Sequence, residues 1–176
     1  PFTVRDAVVL GRHPWRGPFG ALGEEDEALV DEALDRLDLN ALAHRTLPTL
    51  SSGERQRVGI ARCLAQGSDV LILDEPTAHL DFGHRLRTLE VLHHRIRSRG
   101  QALLAVFHDL NLAALADRIA LLVGGRLVAV GPPASLLEPA RLAEAFGVQV
   151  QVLRGSGGFP VVVPRAPGAT DEGLSS

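Results

Sequence analysis

Two carboxylates stand side by side at residues 74 and 75, directly after the apolar run Val70-Leu71-Ile72-Leu73. A run of that kind reads as a strand buried on both faces. Asp74 then falls at the strand end and Glu75 immediately after it, pointing differently. An aspartate so placed can hold Mg²⁺, directly or through water, while the adjacent glutamate can orient and polarise a water for attack on a γ-phosphate. An isolated acid pair would equally serve as a plain strand ending, so the neighbours decide.

Upstream lies Leu50-Ser51-Ser52-Gly53-Glu54-Arg55-Gln56-Arg57, a short polar loop leading into a helix. The free backbone N–H groups and the dipole at such a helix start face any anion there, and serine hydroxyls with a glycine permit close approach of phosphate. Alone, the same residues would be an ordinary cap, an end effect worth about 0.3–1 kcal/mol. Downstream, Thr77-Ala78-His79-Leu80-Asp81 follows the strand, and His108-Asp109 closes the next apolar run, where an imidazole could hydrogen-bond a phosphate oxygen.

The elements that must position these residues are legible from periodicity. Ala28, Leu29, Ala33, Leu34 and Leu37 recur at helical spacing over Glu24 to Leu37, with four acids loading the first turn. After a loop around Arg45 to Thr49, Gly53 to Gln66 reads as a second helix ending near Gly67, and Phe82 to Arg99 as a third, stopped by Gly100. Ala102 to Phe107 is another buried run, and Leu110 to Ala116 a short helix. Ile119 to Val123 and Arg126 to Val130 flank Gly124-Gly125 as a hairpin. A short helix, Pro139 to Phe146, precedes the strand-like Val148 to Leu153 and Phe159 to Val163. Pro1 to Leu10 shows no clear period, Gly11 to Pro18 reads as a Gly- and Pro-punctuated loop, and Ala166 to Ser176 as a disordered tail. Alternating helices and buried strands predict an α/β layered domain with a mainly parallel sheet, in which ligands gather beyond the carboxyl ends of strands. Asp74 and His108 both fall at such ends.

Composition narrows the class. With 176 residues, 45% hydrophobic and 22% charged, the chain can bury a proper core. A net charge of -3 from 21 acids and 18 bases gives no field suited to nucleic acid, so no nucleic-acid partner is expected. The single cysteine, Cys63, reads as a small buried hydrophobe and suits a reducing compartment. Without a leader or an apolar run near the roughly 20 residues that cross a bilayer, a soluble chain is expected. All 18 basic residues are arginine, a bias expected of a GC-rich genome, and methionine is absent even at residue 1, unlike a complete translation product.

The order and nature of these elements together resemble the ATP-binding cassette (ABC) transporter ATPases over nearly the whole chain. Leu50 to Glu54 resembles the signature motif L-S-G-G-Q, with Ser52 in place of the first glycine and Glu54 in place of the glutamine. Val70 to Glu75 is similar to the Walker B strand with its catalytic glutamate, Ala78 to Asp81 to the D-loop, and His108 to the switch histidine. The resemblance implies a P-loop NTPase-like (RecA-like) fold, with an α-helical signature subdomain over about residues 1–66 and the core with the C-terminal strands over 67–165. It also implies a head-to-tail homodimer enclosing two ATP molecules with Mg²⁺. In that arrangement Asp74 serves Mg²⁺, Glu75 is the general base and His108 touches the γ-phosphate. Ser51 and Gly53, within the nucleotide-facing segment Ser51, Ser52, Gly53 and Glu54, reach the γ-phosphate held by the partner, and Asp81 couples the two sites. Transmembrane permease subunits would hold the protein at the cytoplasmic face of the membrane, and a periplasmic or lipid-anchored substrate-binding protein would act through them.

One part of the pattern is missing. The family's phosphate-cradling loop, G-x-x-x-x-G-K-[ST], cannot occur in a chain without lysine. Pro1-Phe2-Thr3-Val4 resembles the sequence just after the Q-loop glutamine, so the chain is expected to begin downstream of that loop, and alone to bind ATP poorly and hydrolyse none. Gly11-Arg12-His13-Pro14-Trp15, His108-Asp109-Leu110-Asn111-Leu112-Ala113 and Gly158-Phe159-Pro160-Val161-Val162-Val163-Pro164 are similar to importer ATPases for iron-siderophores, haem and cobalamin, with iron-siderophore placed first and haem second. Gly11 to Trp15 is then either near the groove where a permease coupling helix docks or a surface loop. A non-transport ATPase of the superfamily would carry coiled-coil insertions or basic linkers, and no heptad run lies between Leu50 and His108. A non-catalytic or regulatory half is the remaining alternative.

Overall fold

Residues 2–16, 20–155 and 158–165 are described in a computed structural model of the chain. The tail expected at 166–176 lies outside them, as do Gly17 and Pro18 of the expected loop. The chain divides into two compact units, Pro1–Val106 and Phe107–Ser176.

In the first unit three helices share one apolar centre. The helix α1 (Val4–Val9) starts at Thr3, whose backbone N–H donates to Asp6 Oδ2 (2.8 Å) while the Asp6 N–H donates to Thr3 Oγ1 (3.2 Å), a reciprocal cap. It buries Val4, Ala7 and Val8 against α3 (Glu24–Arg36) and α4 (Ser52–Gln66). α3 contributes Val30, Ala33 and Leu34, and α4 contributes Val58, Ile60, Ala61, Leu64 and Ala65, the i, i+3, i+4 spacing of one helix face. Gly67 ends α4 in the left-handed region, with φ of 70°.

The loop expected from Gly11 to Pro18 is corrected over its described residues, 11–16. A 3-10 turn at Leu10–Arg12 and the short helix α2 (His13–Arg16) occupy it, and α1 precedes them where no element was expected. The physical reason is Arg12, which is almost fully buried. Its Nε donates to Asp26 Oδ1 (2.9 Å) and its Nη1 to the carbonyls of Ala65 (2.9 Å) and Gln66 (2.8 Å), so it ties the start of α3 to the end of α4. Trp15 adds an indole N–H to the Gln66 carbonyl (2.5 Å). Asp26, fully buried, also accepts from the Gly23 N–H (2.9 Å) and pairs with Arg16 (2.6 Å). The Gly23 N–H, with Arg12 and Arg16, holds its carboxyl below the ordinary range. Cys63 is half-buried beside a cavity of about 150 Å³ lined by Leu10, Gly11, Pro14, Arg62 and Gln66, and burial pushes its thiol pKa up.

The strands β1 (Val70–Asp74) and β2 (Ala102–Val106) pair in parallel, from Val70 opposite Ala102 to Asp74 opposite Val106, with α5 (Phe82–Arg99) in the crossover between them. Leu71 and Leu73 point into the centre formed by α4 and by Val91 and Leu92 of α5. The other face is open among the described residues, with Ile72 72% and Leu104 61% exposed. One carboxylate knits three helices: Glu32 of α3 accepts from Arg36 (2.9 Å), Arg95 (3.3 Å) and Arg99 (2.7 Å), while Arg95 also donates to the Leu64 carbonyl of α4 (2.7 Å). Burial pushes the Glu32 carboxyl up, and the Arg36 hydrogen bond with the charges of Arg95 and Arg99 brings it below its ordinary value.

The second unit is antiparallel. β3 (Ile119–Val123) and β4 (Arg126–Gly131) form the expected hairpin, closed by Gly124 and Gly125 with φ of 55° and 75°. β5 (Val150–Arg154) pairs with β6 (Pro160–Pro164). The short helices α6 (Leu110–Ala113), α7 (Pro133–Leu136) and α8 (Pro139–Phe146) complete it, and Ala114, Leu137, Leu142, Val150 and Val162 form its apolar cluster. Among the described residues, the parallel arrangement expected of the sheet is carried by β1 and β2, and the other two strand pairs are hairpins.

Candidate functional site

The ladder that begins at Val70 runs one step past the end of β1, because the Glu75 N–H still donates to the Val106 carbonyl (3.1 Å). The backbone then leaves the sheet. Glu75 has φ of 43°, in the left-handed region that side chains other than glycine rarely occupy, and its carbonyl accepts from the Ala78 N–H (3.0 Å) to close a turn over the buried Pro76 and Thr77. His79 is again left-handed, with φ of 61°, and Asp81 caps α5. Asp74 is exposed at the strand end, and Glu75, half-buried, follows it on a backbone that has changed direction. Two adjacent carboxylates are thereby aimed differently at the carboxyl end of a parallel strand.

The start of α4 lies against this same turn. A Cβ on Gly53 would fall 2.8 Å from the His79 carbonyl oxygen, so only glycine fits, and Nε2 of Gln56 donates to the Glu75 carbonyl (3.0 Å). Ser51 and Ser52 are exposed. Ser51 is the N-cap, with its Oγ accepting from the Glu54 N–H (3.2 Å) and its N–H donating to Glu54 Oε2 (2.7 Å). The Ser51 N–H, then its hydroxyl, hold the Glu54 carboxyl below its ordinary value. Glu54 therefore serves the helix start from within, while Ser51 and Ser52 present the open end of α4 with its unsatisfied N–H groups. Asp81 accepts from the His84 N–H (2.9 Å) and contacts the His84 imidazole (2.8 Å), both of which lower its pKa.

His108 is exposed and opens the second unit, two residues after Val106. Asp109 caps α6 by accepting from the Asn111 N–H (2.9 Å), and Asn111 clamps β6, donating to the Val162 carbonyl (3.1 Å) and accepting from the Val162 N–H (2.7 Å). The structure thus places Ser51, Gly53, Glu54, Asp74, Glu75 and Asp81 in the first unit, where Gly53 meets the turn that follows Glu75, and carries His108 on the second. Gln56 and His79 stand among these residues without having been singled out as site residues, since their part in the site is a backbone contact that residue type does not announce.

No group of three or more His, Cys, Asp or Glu side chains able to hold a metal occurs among the described residues. Mg²⁺ is commonly held by one or two carboxylates together with substrate phosphates and water, and the exposed Asp74 fits that donor set. No helix among the described residues is long and apolar enough to cross a membrane.

In the first unit a parallel strand ending in Asp-Glu is thus backed by a serine-capped helix whose glycine abuts the following turn. Residues 2–78 match the ABC transporter family, and the chain over most of its length is similar to ABC transporter ATPases. It is 44% identical over 170 residues to the hemin import ATP-binding protein HmuV of Streptomyces coelicolor, covering 95% of this chain and 60% of that protein. It is 45% identical over 152 residues to the cobalamin import ATP-binding protein BtuD of Halobacterium salinarum, covering 86% of this chain and 38% of that protein. The chain thus spans less than two thirds of the length of these relatives. Among solved structures, a metal-chelate type ABC transporter in an inward-facing conformation is similar with a TM-score of 0.80 and 28% identity, over 94% of this chain and 67% of that one. A dimeric cassette in a post-hydrolysis state bound to ADP and Pi gives 0.67 and 28%, over 75% and 57%. The P-loop NTPase-like α/β fold class expected from the sequence is that of these cassettes.

Proposed function

We propose that the chain is the catalytic and signature portion of the ATP-hydrolysing subunit of an ABC importer for a metal chelate, haem or cobalamin. The observation that carries this reading is the turn after β1: Glu75 leaves the ladder in a left-handed conformation directly beyond the exposed Asp74, while the Ser51–Gly53 helix start abuts the same turn. ATP, the substrate, would supply the γ-phosphoryl group, and Asp74 would hold Mg²⁺, which when bound would neutralise charge on the phosphate oxygens. Glu75 takes the proton of the attacking water, and His108 donates a hydrogen bond to a γ-phosphate oxygen. Ser51, Ser52 and Gly53 present hydroxyl and backbone N–H donors at the open end of α4 to the nucleotide of a second, head-to-tail subunit, and Asp81 links the two sites. Glu54 holds that helix start in shape. The helical part over about residues 1–66 carries the signature, and residues 67–165 carry the core.

Residues 1–176 contain no lysine. A phosphate loop of the form G-x-x-x-x-G-K-[ST] must therefore come from outside them, and these residues by themselves bind ATP poorly and do not turn it over. Permease subunits at the cytoplasmic face of the membrane are the partners this reading requires, with a substrate-binding protein acting through them. The names of the relatives support import of hemin or cobalamin, and the chelate type of the solved transporter supports the broader class.

The test is Glu75→Gln in the full gene product. Removing the base lowers turnover by roughly 10²- to 10⁴-fold, while ATP binding, followed by equilibrium titration of a labelled nucleotide, is retained. Unchanged turnover refutes the assignment.

A further inference from the structure

We propose that Gln56 is a positioning residue for Glu75, joining the signature helix to the hydrolytic turn of the same chain; the inference rests on the reading of Glu75 as the base. Gln56 sits on α4 just past the Ser51 cap, half-buried, and its Nε2 reaches the Glu75 carbonyl across 19 residues of sequence (3.0 Å). That carbonyl already accepts from the Ala78 N–H (3.0 Å), so it is satisfied without the side chain. What the amide adds is direction: it fills the second lone pair and fixes the plane of the peptide that follows Glu75.

Direction matters at this residue because Glu75 occupies a backbone region that a side chain enters only when its surroundings over-determine it. Gln56 is one such hold. A second contact joins the same two segments, since Gly53 leaves no room for a Cβ against the His79 carbonyl. The start of α4 and the turn from Glu75 to His79 are therefore keyed together at two points, and a displacement of Ser51 to Gly53 is delivered to Glu75. The amide is specific to the task. Leucine has similar size and no donor, and glutamate puts a negative charge beside a carbonyl oxygen.

The experiment uses the full gene product with Gln56→Leu and Gln56→Glu, each alone and combined with Glu75→Gln. Loss of one net hydrogen bond predicts a fall in kcat of about 3- to 10-fold, with KM for ATP unchanged within about twofold. In the Glu75→Gln background the same changes leave the residual turnover unaltered. Amide exchange at Ala78 in the nucleotide-free protein rises in Gln56→Leu, a readout independent of turnover. Full-speed Gln56→Leu beside a slow Glu75→Gln overturns this inference alone. An equal fractional loss in both backgrounds also overturns it, because Gln56 would then serve the helix rather than the base. Wild-type turnover in Glu75→Gln removes the base assignment, and this inference with it.

Discussion

Replacing Arg57 by methionine isolates what a buried guanidinium contributes to the signature helix. Arg57 is 7% exposed, and its Nη1 donates to the carbonyls of Leu37 (2.8 Å) and Asp38 (3.2 Å), the groups left unpaired where α3 ends. The chain turns away there through Asp38, with φ of 54°. Methionine keeps the apolar stem, so packing is largely retained and the polar head is what is removed. The two carbonyls are not equivalent. Leu37 is 1% exposed, so its oxygen has no route to water, whereas Asp38 is exposed and its oxygen can be rehydrated. One orphaned buried acceptor costs about 1–3 kcal/mol, and a cation lost from a helix C-terminus costs about 0.3–1 kcal/mol more. Relief of guanidinium desolvation offsets part of this, leaving about 2 kcal/mol. Equilibrium urea unfolding of the full gene product and its Arg57→Met variant measures the difference. A midpoint shift equivalent to less than about 0.5 kcal/mol refutes the claim that the α3 terminus depends on Arg57.

The carboxyl of Asp26 is depressed in the folded state, so its stabilisation is fully present above the unfolded value and is lost as pH falls through the folded one. Wild type therefore exceeds Asp26→Asn in stability near neutral pH, and the gap closes only in acid; a gap that is constant down to about pH 3 refutes the pairing. In the second unit, Asn111→Ala strips both backbone groups of the buried Val162 of their partner, at about 1–3 kcal/mol. Amide exchange at Val162 rises in that variant, and unchanged protection shows that the clamp does not form. The Glu75 and Gln56 variants described above complete the set.

The sequence was most legible where periodicity was long and its ends were punctuated. Phe82 to Arg99 was predicted and observed with the same bounds, because Asp81 caps one end and Gly100 closes the other with φ of 64°. The β3–β4 hairpin followed from Gly124-Gly125 in the same way. α1 escaped because six residues hold too few turns to display a period, although its Thr3 and Asp6 cap was present to be read. The 3-10 turn at Leu10–Arg12 and the short helix α2 depend on Arg12 reaching Ala65 and Gln66, partners that local sequence cannot reveal. For the candidate site, type and spacing offered Asp74, Glu75 and Ser51 to Glu54 as candidates, and the family resemblance gave them roles. The left-handed turn at Glu75 and the amide behind it depend on how α4 meets the strand end, which residue types alone did not disclose.

The parallel pairing of β1 and β2 has a consequence for the order in which the chain is made. The β3–β4 hairpin closes through two glycines and needs nothing beyond itself, whereas β1 must wait for all of α5 before its parallel partner Ala102 to Val106 emerges. Throughout that interval the edge of β1 that later pairs with Ala102 to Val106 stays open, a template to which another nascent chain can add a strand. Within residues 1–176, synthesis is therefore most vulnerable between residues 70 and 106. It is there that a chaperone, or a slower ribosome, would most improve the yield of folded protein.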